Sequence, residues 1–523
     1  MPALTRRRFL FAAGGSAATA TLLAACTAPA PESTGTASPG IPPPTPAGPP
    51  VWSELAAAVT GSLFLPAAAG YASAALTENP RFDDARPLAV LEAAGADDVA
   101  AGLAFAAKYG VPIALKSGGH NYIGYSAGGA SGTGVAPSLV ISTATLTDVA
   151  LAEDGTTASV GAGATLVEVY SALGSAGRAV AGGSCATVGA TGLTLGGGVG
   201  VLVRSFGLAC DQLTGVEIVT ADGTVHQASR DTDVDLFWAC QGGGGGQFGV
   251  VTKLTFETQS APEVNTWYVE WPWSSASDVV ASWQVWAPGA DNRLWSTLKL
   301  LGGQSHTGAP SVSVSGTWTG DIGDLTEQLK PLLSGVDARP TDNQSFRHTY
   351  LEAMMTEAGC ENTPLAECKT GPDGALTREP SSGTSNVAYT TLDASGISDL
   401  VAAVEQAQSV TGMTEGGISM DALGGVVSSV DPAATAFVHR TALMTVQYTA
   451  TFAVGADPAP FDAYVRGFRT TMTNHWQNWA YVNYCDSKIP DAQTAYFGAN
   501  LPRLQQLKQQ YDPHGLFTQP QSV

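Results

Sequence analysis

Hydrophobic and polar positions along this chain follow one rhythm up to about residue 260 and another beyond it. In the first part short apolar runs alternate with helical spacing. Glu78-Asn79-Pro80-Arg81-Phe82, then Arg86-Pro87-Leu88-Ala89-Val90-Leu91, reads as a loop entering a buried strand. From Ala96 to Tyr109 the residues Val99, Leu103, Phe105 and Ala106 share one helical face, with Asp97 and Asp98 in the first turn, where the helix dipole favours negative charge. Gly110-Val111-Pro112 breaks that helix, and Ile113-Ala114-Leu115 is a short strand leading into a Gly-rich loop. Strand, helix, strand and loop in this order predict α+β organisation with a right-handed crossover.

Further strands are predicted at Leu139–Ser142 and Thr157–Gly161, and a Thr-capped helix from Thr165 to Leu173. Val216–Thr220 and Val225-His226 flank the hairpin turn Ala221-Asp222-Gly223-Thr224. Leu236–Gln241, five glycines from Gly242 to Gly246, and Phe248–Thr252 read as backbone pressed against a ligand or another strand. Beyond about Ser260, Thr266–Trp271 and Ser311–Trp318 alternate with period two, which suits one broad antiparallel sheet. Helical stretches at Ile397–Val410 and Pro460–Asn474 would back it. Trp267, Trp271 and Trp318 could stack sugars, but packing is the simpler role for them. The chain thus divides into a first domain over 51–260, a second over 261–473, and a closing segment over 474–523.

The chain of 523 residues can fill two cores, and 44% hydrophobic with 13% charged residues is a globular composition. The formal net charge of −21 argues against nucleic acid as a partner, since binding it requires a basic face. The N-terminus reads as an address. Thr5-Arg6-Arg7-Arg8-Phe9-Leu10 matches a twin-arginine export signal, and Leu23-Ala24-Ala25-Cys26 resembles a bacterial lipobox whose Cys becomes the acylated mature N-terminus. Residues 1–26 are then the signal and 27–50 a Pro-rich tether, giving an exported protein that touches the membrane only through a lipid anchor. Of seven cysteines, Cys360 and Cys368 could bridge locally, while Cys210, Cys240 and Cys485 are expected as buried thiols. No CxxC or HExxH motif occurs, so no metal site is expected.

Two loops carry the candidate chemistry. Lys116-Ser117-Gly118-Gly119-His120-Asn121-Tyr122 offers an imidazole among small residues, and Gly182-Gly183-Ser184-Cys185-Ala186-Thr187-Val188-Gly189 offers a thiol. The glycines 192, 196, 197 and 198 follow the second loop. Gly161-Ala162-Gly163-Ala164-Thr165-Leu166 fails GxGxxG at its last position, and no GxxxxGK[ST] occurs. A bound pyrophosphate would therefore rest on loop amides.

Together the two loops resemble the flavin attachment sites of the berberine bridge enzyme-like branch of the vanillyl-alcohol oxidase flavoproteins. The resemblance runs from Asn79 onward and includes Asp211, the Gln241–Thr252 block, Tyr481-Val482-Asn483-Tyr484, Tyr496-Phe497-Gly498-Ala499-Asn500, and Tyr511-Asp512-Pro513 with Phe517. It implies a two-subdomain PCMH-type FAD-binding domain, a substrate domain with a large antiparallel sheet backed by helices, and a final segment returning to the FAD domain. It further implies FAD held covalently through His120 and Cys185, with Ser117, Gly118, Gly119, Asn121, Gly182, Gly183, Val188, Gly189, Gly192, Gly196, Gly197, Gly198, Gly249, Val250 and Asn483 around it. Tyr484 is then the base that deprotonates a substrate alcohol, with Tyr481, Tyr122 and Gln447 beside it. Gln447 stands where some relatives carry Glu, which shifts the base role to tyrosine. Lys116 replaces a common Arg, and Cys485-Asp486 replaces Arg-Asp.

Since the unperturbed pKa of Tyr is near 10, a neighbouring cation or the flavin's own charge is expected to lower that of Tyr484. Val188 matches a position where a small side chain leaves room for O2. The implied activity is an FAD-dependent oxidase that takes hydride from an alcohol carbon of a sugar, oligosaccharide or glycosylated metabolite and releases H2O2. The alternatives are a dehydrogenase that passes electrons to a quinone or other membrane acceptor, and a solute-binding lipoprotein without chemistry.

Overall fold

The computed structural model describes residues 46–371 and 373–523, so the stretch expected to be an export signal, Cys26 and most of the expected tether lie outside the described residues. Three sheets organise the chain. The first has the strand order Ser62–Phe64, Ala89–Glu92, Leu139–Ser142, Ile113–Lys116, with Leu139–Ser142 parallel to both its neighbours. The helix Ala96–Tyr109 crosses from Ala89–Glu92 to Ile113–Lys116 and stops at Gly110, whose φ of 64° closes the last turn. Its apolar face, Val99, Leu103 and Ala106, is fully buried against this sheet.

Asp98 does more here than complement a dipole. Its carboxylate takes the amides of Thr60, Gly61 and Ala94, each at 2.8 Å, and so ties the first strand to the helix start. Burial pulls its pKa up, but these donors outweigh it and hold the carboxyl below the usual range. Stability from this site is therefore present above the unfolded value near 3.9 and is lost as pH falls through the lower folded value. Asp98→Ala is expected to cost about 3 kcal/mol at neutral pH, read as a lowered denaturation midpoint, because it leaves three amides without an acceptor.

The second sheet is antiparallel: Val149–Leu151, Thr157–Gly161, Val250–Glu257, Leu213–Val219, Val225–Ser229. The chain leaves it after Gly161 and re-enters at Leu213, and the excursion carries the capped helix Leu166–Ser175 and the Cys185 loop. Thr165 and Glu168 form a reciprocal capping box on that helix.

The third sheet has seven antiparallel strands, in the order Asp342–Thr349, Glu263–Trp271, Ser311–Trp318, Leu294–Gly302, Met413–Ala422, Met444–Phe452, Ser381–Ala388. Period-two alternation divides its faces. Trp267, Val269 and Trp271, Val312 and Val314, Leu298 and Leu300, Ile418 and Met420, and Val446 and Tyr448 form one apolar side. The helices Ala276–Trp286, Ala394–Gln406 and Ala459–Trp476 pack on it. Trp267, Trp271 and Trp318 all lie in this core, so they pack and do not stack on sugars. The other side is polar, and register aligns Ser385, Gln447, Ser419 and Lys299 in one row and Thr445, Asp421 and Thr297 in the next.

Cys360 and Cys368 are joined by a disulfide, and Cys210, Cys240 and Cys485 are buried free thiols. Among the described residues no helix is long and apolar enough to cross a membrane.

Candidate active site

The two Gly-rich loops meet. A Cβ on Gly118 would clash with the backbone of Gly189, and one on Gly189 with Ser117 and Gly118, so only glycines let these loops lie backbone to backbone. Ser117 anchors the first loop through its hydroxyl to the Ala162 carbonyl at 2.7 Å. Contact between the loops is completed by His120 Nε2 and Thr187 Oγ1 at 2.9 Å. His120 and Cys185, remote in sequence, thus sit in adjoining loops, and Cys185 is an exposed free thiol. Burial pushes the His120 imidazole down to about 4, so it is neutral at physiological pH. Tyr170 holds the Cys185 loop by donating its hydroxyl to the Gly183 carbonyl at 2.6 Å.

Asn121 takes the amides of Ile123 and Tyr125 on its side-chain oxygen, at 3.2 and 3.0 Å, which turns the chain after His120. Gly182 packs on Tyr170, and Gly183 lies against Leu166 and Leu193. Gly249 abuts the Val219 carbonyl, and Val250 begins the neighbouring strand. Val188 sits in the crossing between the Cys185 loop and the helix Leu166–Ser175, its carbonyl accepting from Leu166 N at 2.9 Å.

Tyr481 and Asn483 turn out to be holding residues. Tyr481 is 1% exposed, and its hydroxyl accepts from the amides of Gly198 at 2.9 Å and Val199 at 3.3 Å and from Asn483 Nδ2 at 2.9 Å. Asn483 also donates to the Leu193 carbonyl at 2.8 Å and presses on Gly196, while Gly197 faces Phe437 and Gly198 faces Ala209. The first Tyr and the Asn of the YxNY segment therefore shape the stretch 193–199.

That Tyr484 ends a short 3₁₀ turn, Val482–Tyr484, and stacks on Tyr122 with ring centroids 5.5 Å apart and 21° between planes. Gln447 donates its side-chain amide to the Tyr122 hydroxyl from the polar face of the seven-stranded sheet. Tyr122, Tyr484 and Gln447, from three separate regions of the chain, form one cluster beside the flavin loops.

The protein's own groups act on Tyr484 in one direction. Burial raises the Tyr484 phenol well above its ordinary value, and Asp421, then Tyr122, push it further the same way. Asp421 is a buried carboxylate acting on this cluster that the sequence alone does not disclose. Its own carboxyl is raised by burial, against the hydroxyls of Thr297 and Thr445 and the charge of Lys299. The sole sequence signal was a carboxylate on the polar side of an alternating strand, Ile418, Met420 and Ala422 being on the other.

Lys116 is buried, donates to the carbonyls of Ala74 and Leu76, and is drawn down to about 8 by that burial. Asp486 pairs with Arg466 at 2.8 Å. Asp211 pairs with Arg440 through both carboxylate oxygens, at 2.7 and 2.8 Å.

A dinucleotide fits this frame. The amides of Gly118, Gly119 and His120, and of Gly183, Ser184 and Cys185, meet no protein acceptor among the described residues. The buried Thr191 hydroxyl is likewise unpartnered, and a Cβ on the adjacent Gly192 would meet only open space. Such a cradle of loop amides suits a pyrophosphate in the absence of a Rossmann turn.

Comparison with known proteins agrees. Residues 87–229 match the model of an FAD binding domain, and residues 480–523 the model of berberine and berberine-like proteins. The chain is 31% identical to chitooligosaccharide oxidase of Gibberella zeae over 84% of its length and 87% of the relative's. It is 31% identical to YgaK, an FAD-linked oxidoreductase of Bacillus subtilis, over 79% of this chain and 86% of that one. The solved structure of a chitooligosaccharide oxidase superposes with a TM-score of 0.80 at 27% identity, over 90% of this chain and 98% of the other. That of Physcomitrella patens BBE-like 1 gives 0.81 at 26%, over 90% and 99%. These matches, on a fold that brings both Gly-rich loops and the YxNY segment to one place, show that the chain belongs to the berberine bridge enzyme-like FAD-linked oxidoreductases.

Proposed function

We propose that this enzyme is an oxidase that removes hydride from an alcohol carbon of a sugar, oligosaccharide or glycosylated metabolite, with FAD joined to His120 and Cys185. FAD, when bound, supplies the hydride acceptor and, in turn, the reaction with O2 that yields H2O2. The observation that carries this reading is the Tyr122–Tyr484–Gln447 cluster on the polar sheet face, next to the converging His120 and Cys185 loops. The named activities of chitooligosaccharide, xylooligosaccharide and glucooligosaccharide oxidases among its relatives support a carbohydrate substrate.

Tyr484 takes the hydroxyl proton as hydride departs. Because its phenolate is disfavoured by burial and by the charge of Asp421, the proton must move on as it arrives, and we take Asp421, one row along the polar sheet face from Gln447, as its acceptor. Gln447 orients the Tyr122 hydroxyl, whose ring lies along that of Tyr484. Gln447, Ser419 and Lys299, in one polar row, offer hydrogen bonds to the rest of a polyhydroxylated substrate, while the buried Ser385 at the end of that row is held by the backbone of Tyr481 and Tyr484.

Asp421 becomes a proton acceptor only as pH rises through its raised pKa, so the rate of substrate-driven flavin reduction is expected to climb across that interval. Asp421→Asn is expected to lower the plateau by about ten- to a hundredfold and to abolish this acid limb. Stopped-flow pH profiles of the two proteins check it, and an unchanged limb counts against the relay.

An H2O2-coupled screen over mono- and oligosaccharides, secondary alcohols and aromatic glycosides tests the function. Turnover that needs a dye acceptor would instead make the protein a dehydrogenase. The proposed site of action is outside the cytoplasm, on the strength of the twin-arginine and lipobox motifs.

A further inference from the structure

Glu78 and Thr187 of the Cys185 loop both approach the Nε2 side of His120. Its backbone N–H donates to the Gly119 carbonyl at 3.2 Å, which fixes it in step with the His120 loop. Gly119 has a φ of 75°, and a Cβ there would crowd Thr77, so the 77–78 backbone can approach only a glycine. Arg378 clamps the same stretch by donating to the Thr77 carbonyl at 2.6 and 2.9 Å. The outcome is a Glu78 Oε2 placed 3.8 Å from His120 Nε2.

Among the described residues this carboxylate has no close ion-pair partner. Thr370 donates to it through a long 3.4 Å hydrogen bond. Arg378, the nearest cation, is committed to Asp83 at 2.5 and 3.1 Å. A carboxylate that served only structure would be paired and held low, as Asp462 is by Arg81. Glu78 is 22% exposed at its side chain, and burial pushes it up to about 7 against the opposing pull of Arg378 and Thr370. It therefore exchanges its proton near neutrality beside an imidazole kept neutral by its own burial.

We propose that Glu78 readies His120 to bond the flavin, by orienting the imidazole through Nε2 and accepting the proton that leaves it. The inference rests on the reading that His120 carries the flavin. Joining the two forms one bond between an imidazole nitrogen and the 8α carbon, and breaks one C–H and one N–H bond. Two electrons pass into the ring and are then removed by O2, and the two protons released match those taken up as H2O2 forms. Nε2 faces Glu78 and Thr187, so the ring nitrogen on the other side is the one that attacks. As it does so positive charge develops on the imidazole, and the Nε2 proton passes to Glu78. This is the orienting logic of a carboxylate behind a nucleophilic histidine. Glu78 is thus a positioning and proton-accepting residue for cofactor attachment, with no role required of it in turnover.

The test compares full-length wild type, Glu78→Gln and Glu78→Asp, purified at successive times after induction and digested. Peptide masses give the fraction of the His120 peptide and of the Cys185 peptide that carries flavin. In Glu78→Gln the His120 link is expected to form at least tenfold more slowly while the Cys185 link forms as in wild type, with Glu78→Asp in between. Wild-type kinetics at His120 in the Gln variant would overturn the inference. Should the Gln variant fail to fold, the Asp variant decides, because withdrawing the carboxylate by one methylene must still slow the His120 link several-fold, and an unchanged rate refutes the role. Wild type with flavin on Cys185 alone would overturn the His120 attachment itself, and the inference with it, which is a different failure from a normal link in the variants.

Discussion

Tyr484→Phe is expected to slow substrate-driven flavin reduction by about 10²–10⁴-fold while the flavin stays attached and the fold stays intact. Removing the hydroxyl deletes the group that receives the substrate proton. The ring remains, so its stacking on Tyr122 and its edge contact with Tyr481, at 5.5 and 5.0 Å, are kept. The loss should appear in kcat and kcat/KM together, because the missing interaction exists chiefly in the transition state. Anaerobic stopped-flow reduction followed at the flavin absorbance measures it directly. By contrast Tyr481→Phe removes an acceptor of two backbone amides and one side-chain amide, and its effect should be on loop order and flavin retention. Wild-type reduction rates in Tyr484→Phe would remove this tyrosine from the chemistry.

Arg204→Met is expected to cost about 3–5 kcal/mol of stability, the largest single effect anticipated outside the chemistry. Arg204 is 1% exposed and sits in the short helix Val203–Phe206, just past the Gly-rich loop. Its guanidinium donates to the carbonyls of Pro288 and Leu294, each at 2.8 Å, to that of Ala290 at 2.5 Å, and to that of Leu423. Among the described residues no carboxylate pairs with it directly, and burial draws it down to about 10, still charged at neutral pH. Loss of the fork strands four carbonyls, two of them at the ends of the strands that carry Thr297, Lys299 and Asp421. Activity should therefore fall with stability, because this one side chain sets the polar sheet face relative to the flavin loops. Guanidinium denaturation and kcat/KM on the same preparation test both parts, and an unchanged midpoint would contradict the argument.

The elements legible in the sequence were those whose periodicity was local and strong. The helix Ala96–Tyr109 and the strand Ser311–Trp318 have the bounds that their patterns predict. The helix Ala459–Trp476 exceeds its expected span by a residue or two at each end, where caps decide more than pattern does. The two loops and the YxNY segment were legible because glycines beside a reactive residue are rare enough to mark a site. What they do to one another was not. Tyr481 and Tyr484 are close in the same motif, yet one hydroxyl is saturated by loop amides and the other opens to the cluster, a difference made by the remote segment 193–199. Asp421 and Glu78 escaped notice for the same reason. A carboxylate on an ordinary strand, or before an Asn-Pro turn, has no local mark, and only strand register or loop contact brings it to Tyr484 or His120. Burial and the charge of Asp421 both raise the Tyr484 phenol, an opposition to ionisation that no local sequence pattern displays.

Protease digestion of the denatured enzyme, with mass analysis of the fragments, tests the central claim most directly. The account predicts a single species in which the fragments bearing His120 and Cys185 are held together by one FAD. If both fragments are recovered at their bare peptide masses, the flavin is not anchored where the loops converge, and the account of the site is wrong.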